Sequence, residues 1–149
     1  MTKGCSYHIK IHTLLPYECK NMLSQTAIYA LRAMGFLASL DAGEPVLSSL
    51  IAKEMEIPQN FLSKILNRLT QAGIIEAIRG RNGGVKLAKP AKEIQLYDVV
   101  NLFMTVDDYK KCMLGLNQCD GSCGLHLRWR IISEQFDKIL NETTIDQIF

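Results

Sequence analysis

The sequence has no apolar run approaching the roughly 18 to 20 residues that a membrane-spanning helix needs. A protein that does not cross a membrane is therefore the expectation. The apolar runs near the N-terminus are short and interrupted by His, Pro and Glu, which is not the pattern of a secretory signal, so the cytoplasm is the expected location. No Ser-His-acid set, paired carboxylates or phosphate-binding glycine loop followed by Lys-Ser or Lys-Thr occurs, which argues against an enzyme. Internal repeats and low-complexity stretches are also missing. The five cysteines are an odd number gathered mostly toward the C-terminal third, unlike an extracellular disulfide framework.

What is present is one ordinary domain's worth of chain: 149 residues, 48% hydrophobic and 21% charged. The net charge is only +2, but it is unevenly spread. Lys53 to Lys92 holds eight Lys or Arg against three Glu, whereas Glu93 to Phe149 holds five against nine acidic residues. A basic middle followed by an acidic end points to a polyanion as the partner of the middle. The plainer alternative is a solvated basic surface.

Residues 1–21 show no period and read as a flexible N-terminal extension, with Met22 as a candidate natural start. From Leu23 to Leu40, Ile28, Leu31, Met34, Gly35 and Ala38 recur on one helical face, and the segment from Asp41 to Pro45 ends that helix. A short helix follows from Ser48 or Ser49 to Met55, capped by a serine, with Leu50, Ile51 and Met55 inward. Ile57 and Pro58 break it.

The next helix, Gln59 to Ala72, places Phe61, Leu62, Ile65, Leu66 and Leu69 on its buried face. Its other face carries Gln59, Asn60, Ser63, Lys64, Asn67, Arg68 and Gln71. Two helices across a short turn, the second offering amides and cations, have the form of a helix-turn-helix. Asn and Gln pair with adenine edges, and Arg and Lys suit guanine or phosphate. Residues 74–78 and 85–88 read as strands around the turn Arg79, Gly80, Arg81, Asn82, Gly83 and Gly84, a hairpin with a basic tip. Arg79, Arg81 and Asn82 sit where a wing reaches phosphate or a minor groove, and glycines leave room for that approach.

Ile94 to Met104 reads as a further helix beneath this unit. A long C-terminal helix is expected beyond His126, to about Leu140, with a seam of Leu125, Trp129, Ile132, Phe136 and Ile139. Leu127, Ile131 and Leu140 widen the apolar face, so part of it is expected to meet a partner subunit. Thr143 or Thr144 caps a final turn to Phe149. Between these helices, Cys112, Cys119, Cys123 and His126 fall within fifteen residues as C-x6-C-x3-C-x2-H. Thiolate and imidazole are soft donors that suit tetrahedral zinc or an iron-sulfur cluster, and ordinary buried thiols are the bland alternative. Cys5, Cys19, His8 and His12 lie in the extension and read as incidental.

The segments MLSQTAIYALRA, FLSKILNRLTQAGIIEAIRGRNGGVKLAKPAKEIQLYDVV and CGLHLRW resemble the Rrf-two family of bacterial winged-helix regulators, from Met22 to about Ile148. The resemblance implies a mainly α fold with a small β-hairpin wing: a winged helix-turn-helix domain plus a long C-terminal dimerisation helix. It divides the chain into residues 22–104 for DNA binding, 105–126 for a metal or cluster loop, and 127–149 for the dimerisation helix and last turn.

It also implies a homodimer on double-stranded DNA with a roughly palindromic operator. Cys112, Cys119, Cys123 and His126 match the ligand set of the IscR-like branch, with Trp129 in register, implying a 2Fe-2S cluster in preference to 4Fe-4S. The gaps of six and three residues depart from the family's more even spacing. The nitric oxide-sensing, NsrR-like branch draws an acidic ligand from the first helix of the other subunit; Ile28 stands there. Structural zinc and a metal-free thiol switch at the same loop stay open beside the cluster.

Overall fold

The computed structural model describes residues 22–40, 44–81, 83–106, 114 and 120–149. Helix α1 (Gln25–Ser39) begins at Ser24, whose hydroxyl accepts a hydrogen bond from the Ala27 N–H at 3.2 Å. That satisfies one of the donors a helix start leaves without an intrahelical partner. Its buried line is Ala27, Ala30, Ala33, Met34, Gly35 and Leu37. Ile28, expected inward, is only half-buried. The reason is packing: α1 touches three other helices, the hairpin and the C-terminal turn, and alanines and a glycine let neighbouring backbones come close. A Cβ on Gly35 would collide with the Phe149 ring.

Helix α2 (Ser48–Glu54) differs from expectation in its cap. Leu47 occupies the cap position and makes no side-chain capping bond. Ser48 is instead the first helical residue, and its hydroxyl accepts from the Gln59 side chain at 3.3 Å, joining α2 to the next helix. Ile51 is buried, but Leu50 is 43% exposed, against the inward placement expected for it. Glu56 takes φ 52°, and Pro58 precedes helix α3 (Gln59–Gln71). This turn sets α3 against α1 and α2 through Leu62, Ile65, Leu66 and Leu69, all buried.

Gly73, at φ 69°, turns the chain into strand β1 (Ile75–Ile78), which pairs antiparallel with β2 (Gly84–Leu87) in the register Ile75 to Leu87 and Ile78 to Gly84. Val46 bridges Val85 with backbone bonds of 2.9 and 2.8 Å, adding a third short edge. Gly84 lies so close to the Val46 backbone that a Cβ there would overlap it. The wing glycine at this position therefore serves hairpin packing, where room for DNA was the expected reason.

The expected helix from Ile94 to Met104 is divided. A 3-10 turn (Ala91–Glu93) precedes it, Ile94 and Gln95 are extended, and helix α4 runs Leu96–Phe103. Ile94 is drawn out because its carbonyl accepts from the Ile145 N–H at 2.9 Å, while the Leu96 N–H donates to Thr143 at 3.0 Å. The end of the chain is thus stitched back to the winged unit. Helix α5 (Gly124–Glu142) begins before His126, earlier than expected, and leads to a 3-10 turn (Ile145–Gln147) held by a Thr144 and Gln147 capping box. The main core lies among α1, α2, α3, the hairpin and Ile145. A second cluster of Ala27, Val100, Val106 and Leu140 joins α1, α4 and α5. No helix among the described residues is long and apolar enough to cross a membrane.

Candidate nucleic-acid interface and cysteine site

The buried residues of α3 fix which of its side chains face out. Gln59, Asn60, Ser63, Lys64, Asn67 and Arg68 are all exposed. The Ser63 hydroxyl donates to the Gln59 carbonyl at 2.9 Å, and the Gln59 amide is engaged by Ser48. Asn60, Lys64 and Asn67 project from the same surface with the amide and ammonium chemistry that reads base edges and phosphates. Arg68 is set apart at one flank, its guanidinium over the Phe103 ring at 5.6 Å from the centroid. At the tip of the hairpin Arg79 and Arg81 are exposed, and Gly80, at φ 115°, makes the turn between them. Asn82 lies outside the described residues.

Phe61 departs from its expected place on the buried face: it is 49% exposed. Its ring meets Tyr29 of α1 edge-on, centroids 6.4 Å apart. An exposed aromatic on the flank of α3, next to Lys64 and Arg68, is the kind of group that packs against a thymine methyl in a major groove. Sequence periodicity alone merges such a flank residue with the core, because at helical spacing Phe61 adjoins Ile65 as closely as it adjoins Lys64.

At the start of α5, Cys123 is the cap residue, and its Sγ accepts from the His126 N–H at 3.2 Å. The two donor side chains therefore share the first turn of a helix. Gly121, at φ 77°, folds the preceding chain against the imidazole: a Cβ there would lie 3.3 Å from His126 Nε2. Asp120 adjoins them, its carboxylate accepting from the Ser122 N–H at 3.0 Å and the Ser122 hydroxyl at 2.7 Å. Those two bonds, with a smaller contribution from the His126 charge, hold the Asp120 carboxyl below the usual carboxylate range.

Cys112 and Cys119 lie outside the described residues, as do Cys5 and Cys19. Among the described residues no three His, Cys, Asp or Glu side chains gather as a metal site. A thiol and an imidazole carried on one helical turn are donor types that suit part of a four-donor site. Hydrogen bonds to sulfur are one of the levers on the potential of an iron-sulfur cluster, and the Cys123 sulfur accepts one from the His126 N–H. Ile28 is half-buried on α1 and brings no oxygen.

The apolar face of α5 divides across both expected sets, the seam and the residues that widen it. Phe136 and Leu140 turn inward to the second core cluster. Leu125, Leu127, Ile131, Ile132 and Ile139 stay exposed, each more than two-fifths of its surface open. That is an apolar stripe along most of a 19-residue helix.

A family model described as Rrf2, iron-dependent transcriptional regulator, matches residues 23–149. A protein of Aquifex aeolicus (strain VF5), provisionally named an HTH-type transcriptional regulator, is 32% identical over 131 residues, covering 85% of this chain and 90% of its own length. Protein aau3 of Rhizobium meliloti (strain 1021) is 37% identical over 131 residues, covering 85% and 83%. Among solved structures, CymR, the global cysteine regulator of B. subtilis, aligns with a TM-score of 0.71 at 20% identity, over 85% of this chain and 94% of that one. IscR of T. potens aligns with a TM-score of 0.66 at 21% identity, over 85% and 84%. At such identities these two likenesses concern the fold.

Proposed function

Because the chain belongs to the Rrf2 family of iron-dependent, DNA-binding transcriptional regulators, we propose that it works as a homodimer whose operator affinity follows the state of an iron-sulfur cluster. The ligands are Cys112, Cys119, Cys123 and His126, and the cluster is of the 2Fe-2S type, 4Fe-4S being the less favoured form. The carrying observation is the Cys123 sulfur and the His126 backbone joined on the first turn of α5. The same helix exposes the apolar stripe and is anchored at its far end to the winged core through Leu140 and Ile145.

In this reading Gln59, Asn60, Ser63, Asn67 and Phe61 face bases, while Lys64, Arg68, Arg79, Arg81 and Asn82 meet phosphates or groove edges. Two winged units related by a twofold axis through α5 would occupy half-sites about one helical turn, or a multiple of it, apart. A bound cluster supplies a redox-sensitive, releasable cross-link among the four donors. This chain's residues translate it: ordering the start of α5 biases one of two dimer arrangements and hence the spacing of the α3 helices. Residues 22–104 carry DNA binding, 105–126 the ligands and 127–149 most of the dimer contact.

Protein prepared without oxygen tests the cofactor. Visible absorbance with equal iron and inorganic sulfide supports the cluster. Colourless protein with zinc makes the site structural, and metal-free protein that forms a Cys119 to Cys123 or Cys112 disulfide under mild peroxide makes it a thiol switch. Selection from random duplexes, with and without metal, tests recognition; enrichment of a palindromic sequence is expected, and no enrichment in either state would refute the operator.

A further inference from the structure

Arg68 is the one α3 cation among the described residues seen over an aromatic ring, that of Phe103, the last residue of α4. We infer that Phe103 is a positioning residue for DNA binding: its ring, with the Arg68 guanidinium carbon 5.6 Å from its centroid, holds that cation where its N–H groups stay open to a phosphate. The inference rests on the reading of α3 as the DNA-contacting helix.

A cation–π contact draws the guanidinium charge to the ring and takes up none of its N–H donors in a conventional hydrogen bond. Arg68 remains exposed, and an arginine already held near its bound orientation loses less freedom when it meets phosphate. Phe103 is well placed to impose that orientation because it is itself fixed. It packs against both core clusters. The next residue is pinned twice: the Met104 N–H donates to the Val100 carbonyl at 3.1 Å, and the Met104 sulfur accepts from the Ser24 N–H at 3.4 Å. Val106 is buried against Ala27, Val100 and Leu140 of α5.

The Arg68 contact is therefore carried on the same few residues that fasten α4 to α5. A shift of the end of α4 against α3 would move the ring under the guanidinium. DNA affinity is then sensitive to the α4–α5 junction through a single side-chain pair, without any movement inside α3.

The test is a double-mutant cycle on the full chain, prepared without oxygen, against a duplex obtained by selection, with anisotropy read over a range of salt. F103L is expected to weaken binding about two- to fivefold, the fold-change of an exposed cation–π contact. F103Y, which keeps the ring, is expected to bind like the parent. R68Q is expected to weaken binding and lower the slope of log affinity on log salt by about one. In the R68Q background F103L should cost nothing further.

Equal losses from F103L in both backgrounds would mean general loosening of the core and would overturn the inference. So would an F103L variant that binds as well as the parent, or an R68Q variant with unchanged salt slope. A parent protein that enriches no duplex would instead bring down the DNA reading of α3 itself, and the inference with it.

Discussion

Cys123 carries two jobs that separate experimentally. Its sulfur caps α5 by accepting the His126 N–H, and in the proposed function it also ligates the cluster. Serine keeps an acceptor at that position and alanine does not. C123A is therefore expected to be less stable than C123S by about 0.5–1 kcal/mol in the apo state, by urea denaturation. Both variants should lose the visible absorbance of anaerobic protein; a C123S protein that keeps it would remove Cys123 from the ligand set.

Gly35 permits a second stability prediction. The Cβ of G35A would displace the Phe149 ring, which is 72% exposed and can swing aside; with alanine favoured over glycine inside a helix by about 1 kcal/mol, a net change in stability of less than about 1 kcal/mol is expected by urea denaturation. At this scale the sequence was legible where exposure is coded by residue type: the polar residues of α3 and Arg79 and Arg81 all face outward. It was less legible where three-dimensional neighbours decide. Phe61 is apolar and periodic, yet Tyr29 and an open flank take it out of the core. Gly84 sat in a turn-like run, and its contact with Val46 depends on a segment far away in sequence.

Among elements, the hairpin and α5 answer most directly to mutation. R79Q and R81Q are each expected to lower the salt slope of DNA binding by about one and to weaken all sequences alike. N60A or N67A should relax sequence preference at one position by about 1–3 kcal/mol instead. Selection on random duplexes distinguishes the two classes.

On α5, Ile131 and Ile139 belong to the exposed stripe. A charge there, as in I131E or I139E, is expected to shift sedimentation from dimer to monomer and to weaken operator binding. Unchanged dimers would place the interface elsewhere. Helix number and order were readable from apolar period and from Gly and Pro breaks. The split before α4 was not, because Ile94 and Gln95 are held extended by pairing with Thr143 to Ile145, roughly fifty residues later. The start of α5 was placed too late because a cysteine is not among the usual caps, although Cys123 serves as one here.

For the whole molecule, the fold ties three things to one another: the α3 face and wing, the start of α5 with Cys123 and His126, and the end of α5 stitched to the winged core. In the proposed function that connectivity is the mechanical route from a cluster at the head of α5 to the α3 face and wing. Architecture and family were legible in the sequence because wing, helices and cysteine spacing occur in a recognisable order. How the chain's end closes on α1 and α4 was not, since it depends on backbone pairing that carries no side-chain signature. The most direct measurement is operator affinity, by anisotropy at fixed salt, for one anaerobic preparation before and after removal of its iron by a chelator. The expected result is loss of the visible absorbance together with an affinity change of about fivefold or more, the usual scale of coupling between two sites. Identical affinities before and after removal, or a colourless preparation to begin with, would contradict it.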